Sequence, residues 1–337
     1  MFKLGSNDIG IDLGTANILI YKKGEGVILN QPSIVAVDTK TNKVLSVGDG
    51  AYSMIGRTSS SIKIIRPLRD GVIADFEITA QMLNIFLDEL KIKGLFSKPK
   101  ILICCPADIT SVERKAIKEV AYRCGGDKVY IEDEPKVAAI GSGLEIFEPL
   151  GNMVIDIGGG TTDIAVLSMG EIVISSTLKL AGDKLTNDVI NYVKDAEKVV
   201  IGQKMAEEAK IKIGCLYQPD KTNKFDVKGR DLVSGLPKTI TLNEEDMIKA
   251  LGRSINTLIT ETKALLEKTE PELASDIINQ GIVITGGGAL IRNLDVLFEK
   301  ELQVPVYVSE DPLNSVVRGT GILLELASDP NSKVTLG

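Results

Sequence analysis

One pattern occurs twice in this 337-residue chain. Residues 9–21 read IGIDLGTANILIY and residues 153–167 read MVIDIGGGTTDIAVL. Each is an apolar run closing on Asp-x-Gly, then a threonine, then a second apolar run, the pattern of a β-hairpin. Asp12 and Asp156 lie 144 positions apart. A duplication at that spacing restricts the chain to folds built from two copies of one unit. The length, a little over twice a usual ~150-residue domain, agrees with this.

Strands and helices alternate after each hairpin. Residues 101–106 (ILICCP) form a continuous apolar run suited to a buried strand. Thr110 with Glu113 makes a capping box, and Val112, Ala116, Val120 and Cys124 predict one apolar helix stripe. Residues 128–132 return as a strand, and Pro135 suits a helix start. In the second half, Met247, Leu251, Ile255, Leu258 and Leu265 share one face of a helix over 244–268, with Asn243 as N-cap and Pro271 past its end. Residues 281–285 read as a strand entering Gly286–Gly287–Gly288, and 312–327 as the last helix. The class is therefore α/β with mixed sheets. Two polar, irregular stretches, about 31–75 and 184–242, read as small subdomains inserted into the two units.

Composition excludes several chemistries. The chain has no histidine, which removes a Ser-His-Asp triad, a Cys-His pair, an HExxH zinc site and any histidine base. Cys104, Cys105, Cys124 and Cys215 make no CxxC pair, so a reduced, cytosolic setting is expected, with Cys124 as core filler. Net charge is −7, from 39 basic and 46 acidic residues, which disfavours nucleic acid as a partner. The longest uncharged stretch, Ile277–Ile291, is 15 residues and is broken by glycines. That is shorter than the ~18 apolar residues of a membrane helix. Met1–Asp8 holds no apolar core of a signal peptide.

The two hairpin turns carry the chemistry. Glycine turns expose backbone N–H groups that cradle phosphate oxygens, and threonine hydroxyls add donors. The turns hold Asp12, Gly14 and Thr15 in the first copy and Asp156, Gly158, Gly159, Thr161 and Thr162 in the second. A carboxylate beside phosphates is repelled unless a cation lies between, which points to Mg²⁺ held partly through water. The third glycine cluster, Thr285–Gly288, follows a strand and is expected to precede a helix whose N-terminus faces phosphate. There is no GxxxxGK[ST], so this is no P-loop protein.

These segments, with EDEPKVAAIGSG (132–143), AGDKL (181–185), AEEAKIKIG (206–214) and GIVITGGGALIRNLD (281–295), resemble the actin/hsp70/sugar-kinase ATPase superfamily, and within it the bacterial actins. They follow the family order over nearly the whole chain. The resemblance implies an actin-like ATPase fold of two duplicated lobes, each with mixed sheets flanked by helices and an inserted subdomain. Residues 1–145 with 312–337 would form lobe I and 146–311 lobe II. ATP or ADP with Mg²⁺ would lie in the cleft, clasped by Asp12, Gly14, Thr15, Ala16 and Asn17 and by Gly158, Gly159, Gly160, Thr161, Thr162 and Gly182. Glu207 and Lys210 would contact the adenosine, above Gly286, Gly287 and Gly288. Glu134 would orient or deprotonate the attacking water, with Asp156 and Thr161 beside it. Asp133 and Asp163 stand where relatives often carry Glu.

The resemblance further implies a homopolymer of paired antiparallel protofilaments on the anionic inner face of the cell membrane, working with the membrane-bound wall-elongation machinery. A small-molecule kinase or an hsp70-like module of the same fold is the rival. No acceptor-hydroxyl motif is visible for the first, and no peptide-binding domain follows residue 337 for the second. Leu95 and Phe96, ringed by Lys91, Lys93, Lys98 and Lys100, are the expected membrane-inserting tip.

Overall fold

The computed structural model describes residues 7–92, 98–328 and 336. Leu95 and Phe96 lie outside the described residues. In chain order the first half holds β1 (Ile9–Leu13), β2 (Asn17–Lys22), β3 (Gly26–Pro32), β4 (Val35–Asp38), β5 (Val44–Val47), α1 (Gly48–Ser53), β6 (Ile62–Ile65), β7 (Leu68–Arg69), β8 (Val72–Ile73), α2 (Phe76–Glu89), β9 (Lys100–Cys105), α3 (Ser111–Arg123), β10 (Lys128–Asp133) and α4 (Glu134–Gly141). The second half holds β11 (Asn152–Ile157), β12 (Thr162–Ser168), β13 (Glu171–Leu178), α5 (Gly182–Glu197), β14 (Val199–Val200), α6 (Gln203–Ile213), β15 (Lys224–Asp231), β16 (Pro237–Asn243), α7 (Glu244–Lys268), α8 (Pro271–Gln280), β17 (Ile282–Thr285), α9 (Leu294–Leu302), β18 (Val306–Val308) and α10 (Ser315–Leu326).

The sequence repeat becomes a repeat of topology. One five-stranded sheet runs β3-β2-β1-β9-β10 and the other β13-β12-β11-β17-β18. In both, three strands form an antiparallel meander and two more join in parallel. Parallel pairing needs a crossover, which α2, α3, α7 and α9 help to supply. Smaller sheets, β5-β4-β6 and β14-β15-β16, flank the two large ones. The 184–242 stretch is more regular than its polarity suggests, because α5 and α6 bury one stripe each and leave the rest to solvent: Leu185, Val189 and Val193 in α5, Ala206, Ala209 and Ile213 in α6. Among the described residues no helix is long and apolar enough to cross a membrane.

The helix ends behave as their sequences ask. Thr110 and Glu113 close a capping box on α3, and Asn243 with Asp246 closes one on α7. The expected face of α7 is buried, as is Cys124. The α3 stripe needs a correction, since Val112 is 75% exposed and the buried set is Ile117, Val120, Ala121 and Cys124. Steps of four residues drift by ~40° each, so positions 112 and 124 cannot face one core.

Between the large sheets lies a shared apolar layer. Leu102 and Cys104 from one sheet and Val154, Ala165 and Leu167 from the other pack with Val137–Ile140 of α4 and with Val316, Leu323 and Leu324 of α10. Glycines bring the two helices close. A Cβ on Gly141 would lie 1.7 Å from Ser315 O, and one on Gly319 2.0 Å from Val137 O. Gly319→Ala should therefore destabilise the protein by roughly 1–3 kcal/mol through overpacking. Urea unfolding at an unchanged midpoint would show that the helices have room to part.

Candidate functional site

The two hairpin turns meet edge to edge. Asp12 and Asp156 occupy the same penultimate position, in β1 and β11 respectively. The turns after them approach too closely for side chains. A Cβ on Gly159 would sit 3.0 Å from Ala16 N and one on Gly160 2.5 Å from Thr15 Oγ1, while within the first turn one on Gly14 would lie 2.6 Å from Asn17 O. Asn17 opens β2 and gives its amide to Asn30 Oδ1 at 2.6 Å. A third turn, missed by the sequence reading, closes on this pair. Gly71, at φ +77°, donates its N–H to Thr15 Oγ1 at 3.1 Å, and a Cβ there would lie 2.9 Å from Thr161 Cγ2. Its only local signal is the Asp70-Gly71 turn dipeptide in the polar first insert.

Four carboxyl groups crowd around these turns. Burial pushes Asp12 up to about 7. Asp163 rises to about 6 for the same reason, although Thr177 Oγ1 (2.5 Å) and Ala107 N (3.4 Å) donate to it. Asp156 and Glu134 are raised well above the carboxylate range, first by loss of water and then by their acidic neighbours: Asp163 and Asp12 for Asp156, Asp156, Asp163 and Asp12 for Glu134. Asp163, noted in the sequence only as a departure from relatives, thus belongs to the cluster. Among the described residues no three Asp, Glu, Cys or His side chains form a cage for a metal ion. Asp12 and Asp156 offer oxygen donors whose ionised forms are costly alone, a set that fits a hard cation completing its shell with water.

The remaining expected residues fall into two groups. Glu207 and Lys210 are no loose surface pair. Lys210 is 8% exposed, and its Nζ lies 2.8 Å from Glu207 Oε2, 2.9 Å from Gly182 O and 2.9 Å from Thr186 Oγ1. Thr186, absent from the sequence reading, also donates to Glu207. That knot abuts the second turn, because Gly182 N donates to Gly158 O at 3.0 Å and Asp183 N to Gly159 O at 2.8 Å. Thr162 serves the interior: it is fully buried and its hydroxyl donates to Leu180 O at 2.6 Å, so it offers no free donor to a ligand.

The third glycine cluster also needs correction. Gly286 and Gly288 do pack on the second hairpin, with Cβ positions 2.4 Å from Asp156 Oδ1 and 2.2 Å from Ile157 Cγ2. No α-helix starts there. Gly286, at φ +78°, turns the chain into a four-residue 3₁₀ turn, Gly287–Leu290, and α9 begins only at Leu294. The α-helix whose N-terminus meets a phosphate-type turn is α5, at Gly182.

Two sheets of one topology, closing on paired Asp-Gly turns with a carboxylate at each, define an actin-like ATPase fold. The sequence profile of the MreB/Mbl protein family matches residues 6–332, and the chain belongs to that family. It is 56% identical over 320 residues to the cell shape-determining protein Mbl of Bacillus subtilis, covering 95% of this chain and 96% of that one. To the cell shape-determining protein MreB of Escherichia coli it is 45% identical over 326 residues, covering 95% and 94%. Crystal structures of MreB5 of Spiroplasma citri bound to ADP and to AMPPNP each superpose with a TM-score of 0.89 at 41% identity, over 94% of this chain and 95% of that one. The protein is thus an MreB-like cytoskeletal actin homologue, and the kinase and hsp70-like alternatives are not favoured.

The raised Asp12 has a consequence for stability. A carboxyl whose pKa is higher folded than unfolded favours the folded state at low pH, and that advantage is lost as pH rises through the folded value. For Asp12 the window runs from 3.8 to about 7. Asp12→Asn should therefore raise the thermal midpoint of the nucleotide-free protein at pH 8, by a margin that shrinks as pH falls toward 4. A margin independent of pH would contradict the buried-carboxylate reading.

Proposed function

We propose that this chain binds ATP and ADP with Mg²⁺ in the cleft and hydrolyses ATP slowly. We also propose that it polymerises into paired antiparallel filaments on the inner face of the cell membrane that help set cell shape. The observation that carries the reading is the edge-to-edge approach of the two hairpin turns, which leaves backbone N–H groups and Thr15 and Thr161 around one space. The two MreB5 structures of the same fold are bound to ADP and AMPPNP.

Each residue then has a stated task. The N–H groups of Gly14–Asn17 and Gly159–Thr161 hold phosphate oxygens, while Gly158 shapes the second turn by giving its own N–H to Thr161 O at 3.0 Å, and Glu207 and Lys210 hold the adenosine above Gly286–Gly288. Asp12 and Asp156 would hold Mg²⁺ through water; bound there, it neutralises phosphate charge. Glu134, whose pKa is raised by burial and then by its acidic neighbours, orients the attacking water and accepts its proton. Thr161 and Asp156 keep that water and the phosphates in line. Phosphoryl transfer rests mainly on such positioning, so the missing histidine is no obstacle.

Two variants separate binding from turnover. Asp156→Ala should abolish Mg²⁺-dependent ATP binding, read by fluorescent-nucleotide titration. Glu134→Ala should keep binding and slow phosphate release by ~10²–10⁴-fold. Wild-type release from the second variant would overturn the assignment of Glu134. ATP-dependent pelleting of the wild type tests polymerisation, which a soluble kinase would not show.

Membrane attachment rests on the sequence of residues 91–100 and on the resemblance. Burying Leu95 and Phe96 in lipid would gain roughly 1.5–3 kcal/mol each, and each nearby lysine ~1 kcal/mol at an anionic leaflet. A filament multiplies that attachment. Leu95→Ser with Phe96→Ser should leave ATP binding intact and remove co-sedimentation with anionic liposomes. Wild-type pelleting of the double variant would move the anchor elsewhere.

A further inference from the structure

Three acids stand in a row at the end of β10 and the start of α4: Glu132, Asp133 and Glu134. Their surroundings sort them. Lys136 Nζ lies 3.6 Å from Glu132 Oε2 and 3.7 Å from Glu171 Oε1, so the first acid has a cation. Asp133 forms an ion pair with the Arg114 guanidinium, donated from the first turns of α3. Among the described residues no lysine or arginine pairs with Glu134, whose neighbours are the carboxylates of the site.

Asp133 is the anomaly. It occupies the N-cap of α4, with extended dihedrals (φ −76°, ψ 129°), and Asp is among the residues that cap best. Yet its side chain accepts no hydrogen bond from the helix. Pro135 deletes one first-turn donor, but the N–H groups after it remain to attract a capping oxygen. What holds the carboxylate away is Arg114. The base of Arg114 is fixed, since its N–H bonds Thr110 O at 2.9 Å directly behind the Thr110–Glu113 capping box. On the strand side, Asp133 is paired in register with Cys105 of β9.

We propose that Arg114 is a positioning residue for hydrolysis. By holding Asp133 off the N-terminus of α4, it fixes the backbone turn from which Glu134 projects and leaves Glu134 as the one acid of the three free to serve water. This rests on the proposed role of Glu134. Without Arg114, Asp133 swings to cap α4, the turn re-forms around that cap, and Glu134 shifts. The pair is about a third exposed on both sides, and ion pairs so exposed contribute little to global stability, so the fold survives the loss.

The test measures phosphate release, affinity for AMPPNP, ATP-dependent pelleting and thermal midpoint for Arg114→Ala, Arg114→Lys, Asp133→Asn and Glu134→Ala, and for Arg114→Ala combined with Glu134→Ala. Arg114→Ala should lower kcat by about 10-fold, since small displacements of reacting groups cost rates of this order. AMPPNP affinity, pelleting and midpoint should stay at wild type. Asp133→Asn, which loses the pair and caps well, should match Arg114→Ala, and Arg114→Lys should recover part of the rate. In the Glu134→Ala background, Arg114→Ala should cause no further loss. Unchanged kcat in Arg114→Ala, an equal loss with and without Glu134, or a loss that follows reduced pelleting or a lowered midpoint would each overturn the proposal. Wild-type kcat in Glu134→Ala alone would instead remove the reading on which it rests.

Discussion

Like charge held in too little water is the constraint around which this molecule is arranged. Asp12, Glu134, Asp156 and Asp163 stand at the end of β1, the start of α4, the end of β11 and the start of β12, and each is pushed toward its protonated form. Four such groups would scatter in a flexible chain. They stay together because each is seated on a strand end or a helix start that the cores beneath keep in place. By itself this crowding costs stability. A cation bound among them would convert that cost into binding free energy.

The second constraint is close approach of backbone. Where the turns meet, where α4 crosses α10 and where Gly286 folds over Ile157, a Cβ would collide with backbone or a fixed side chain. Glycine at these places lets two lobes share one apolar layer and lets two turns share one space. The α4–α10 layer also carries Glu134 at its edge, so packing between the lobes and the placement of the proposed catalytic acid depend on the same helix.

Much of this is visible without coordinates, for local reasons. The duplicated Asp-x-Gly hairpins, the capping boxes of α3 and α7 and the buried face of α7 are short-range patterns, and each is present as read. The misreadings are short-range rules carried too far. Val112 fits an i,i+4 series that rotates away from the core over three steps. The run Gly286–Gly288 looks like a loop before a helix, but the positive φ of Gly286 sends the chain into a 3₁₀ turn instead. Thr162 has the right residue type at the right turn, and the pleat points it inward.

The sequence by itself determined the duplication, the α/β class, the absence of histidine chemistry and the two aspartates at matching strand ends, because each is a matter of residue type and spacing. Tertiary structure alone decided which groups meet across the chain. Gly71 reaches Thr15 over 56 positions, Lys210 reaches Gly182 over 28, and Arg114 takes Asp133 over 19. It also decided the protonation tendencies, since the same Asp or Glu is ordinary in water and strongly shifted where burial and other carboxylates surround it. No local pattern encodes those distances. They arise when two sheets of one topology pack against a common pair of helices.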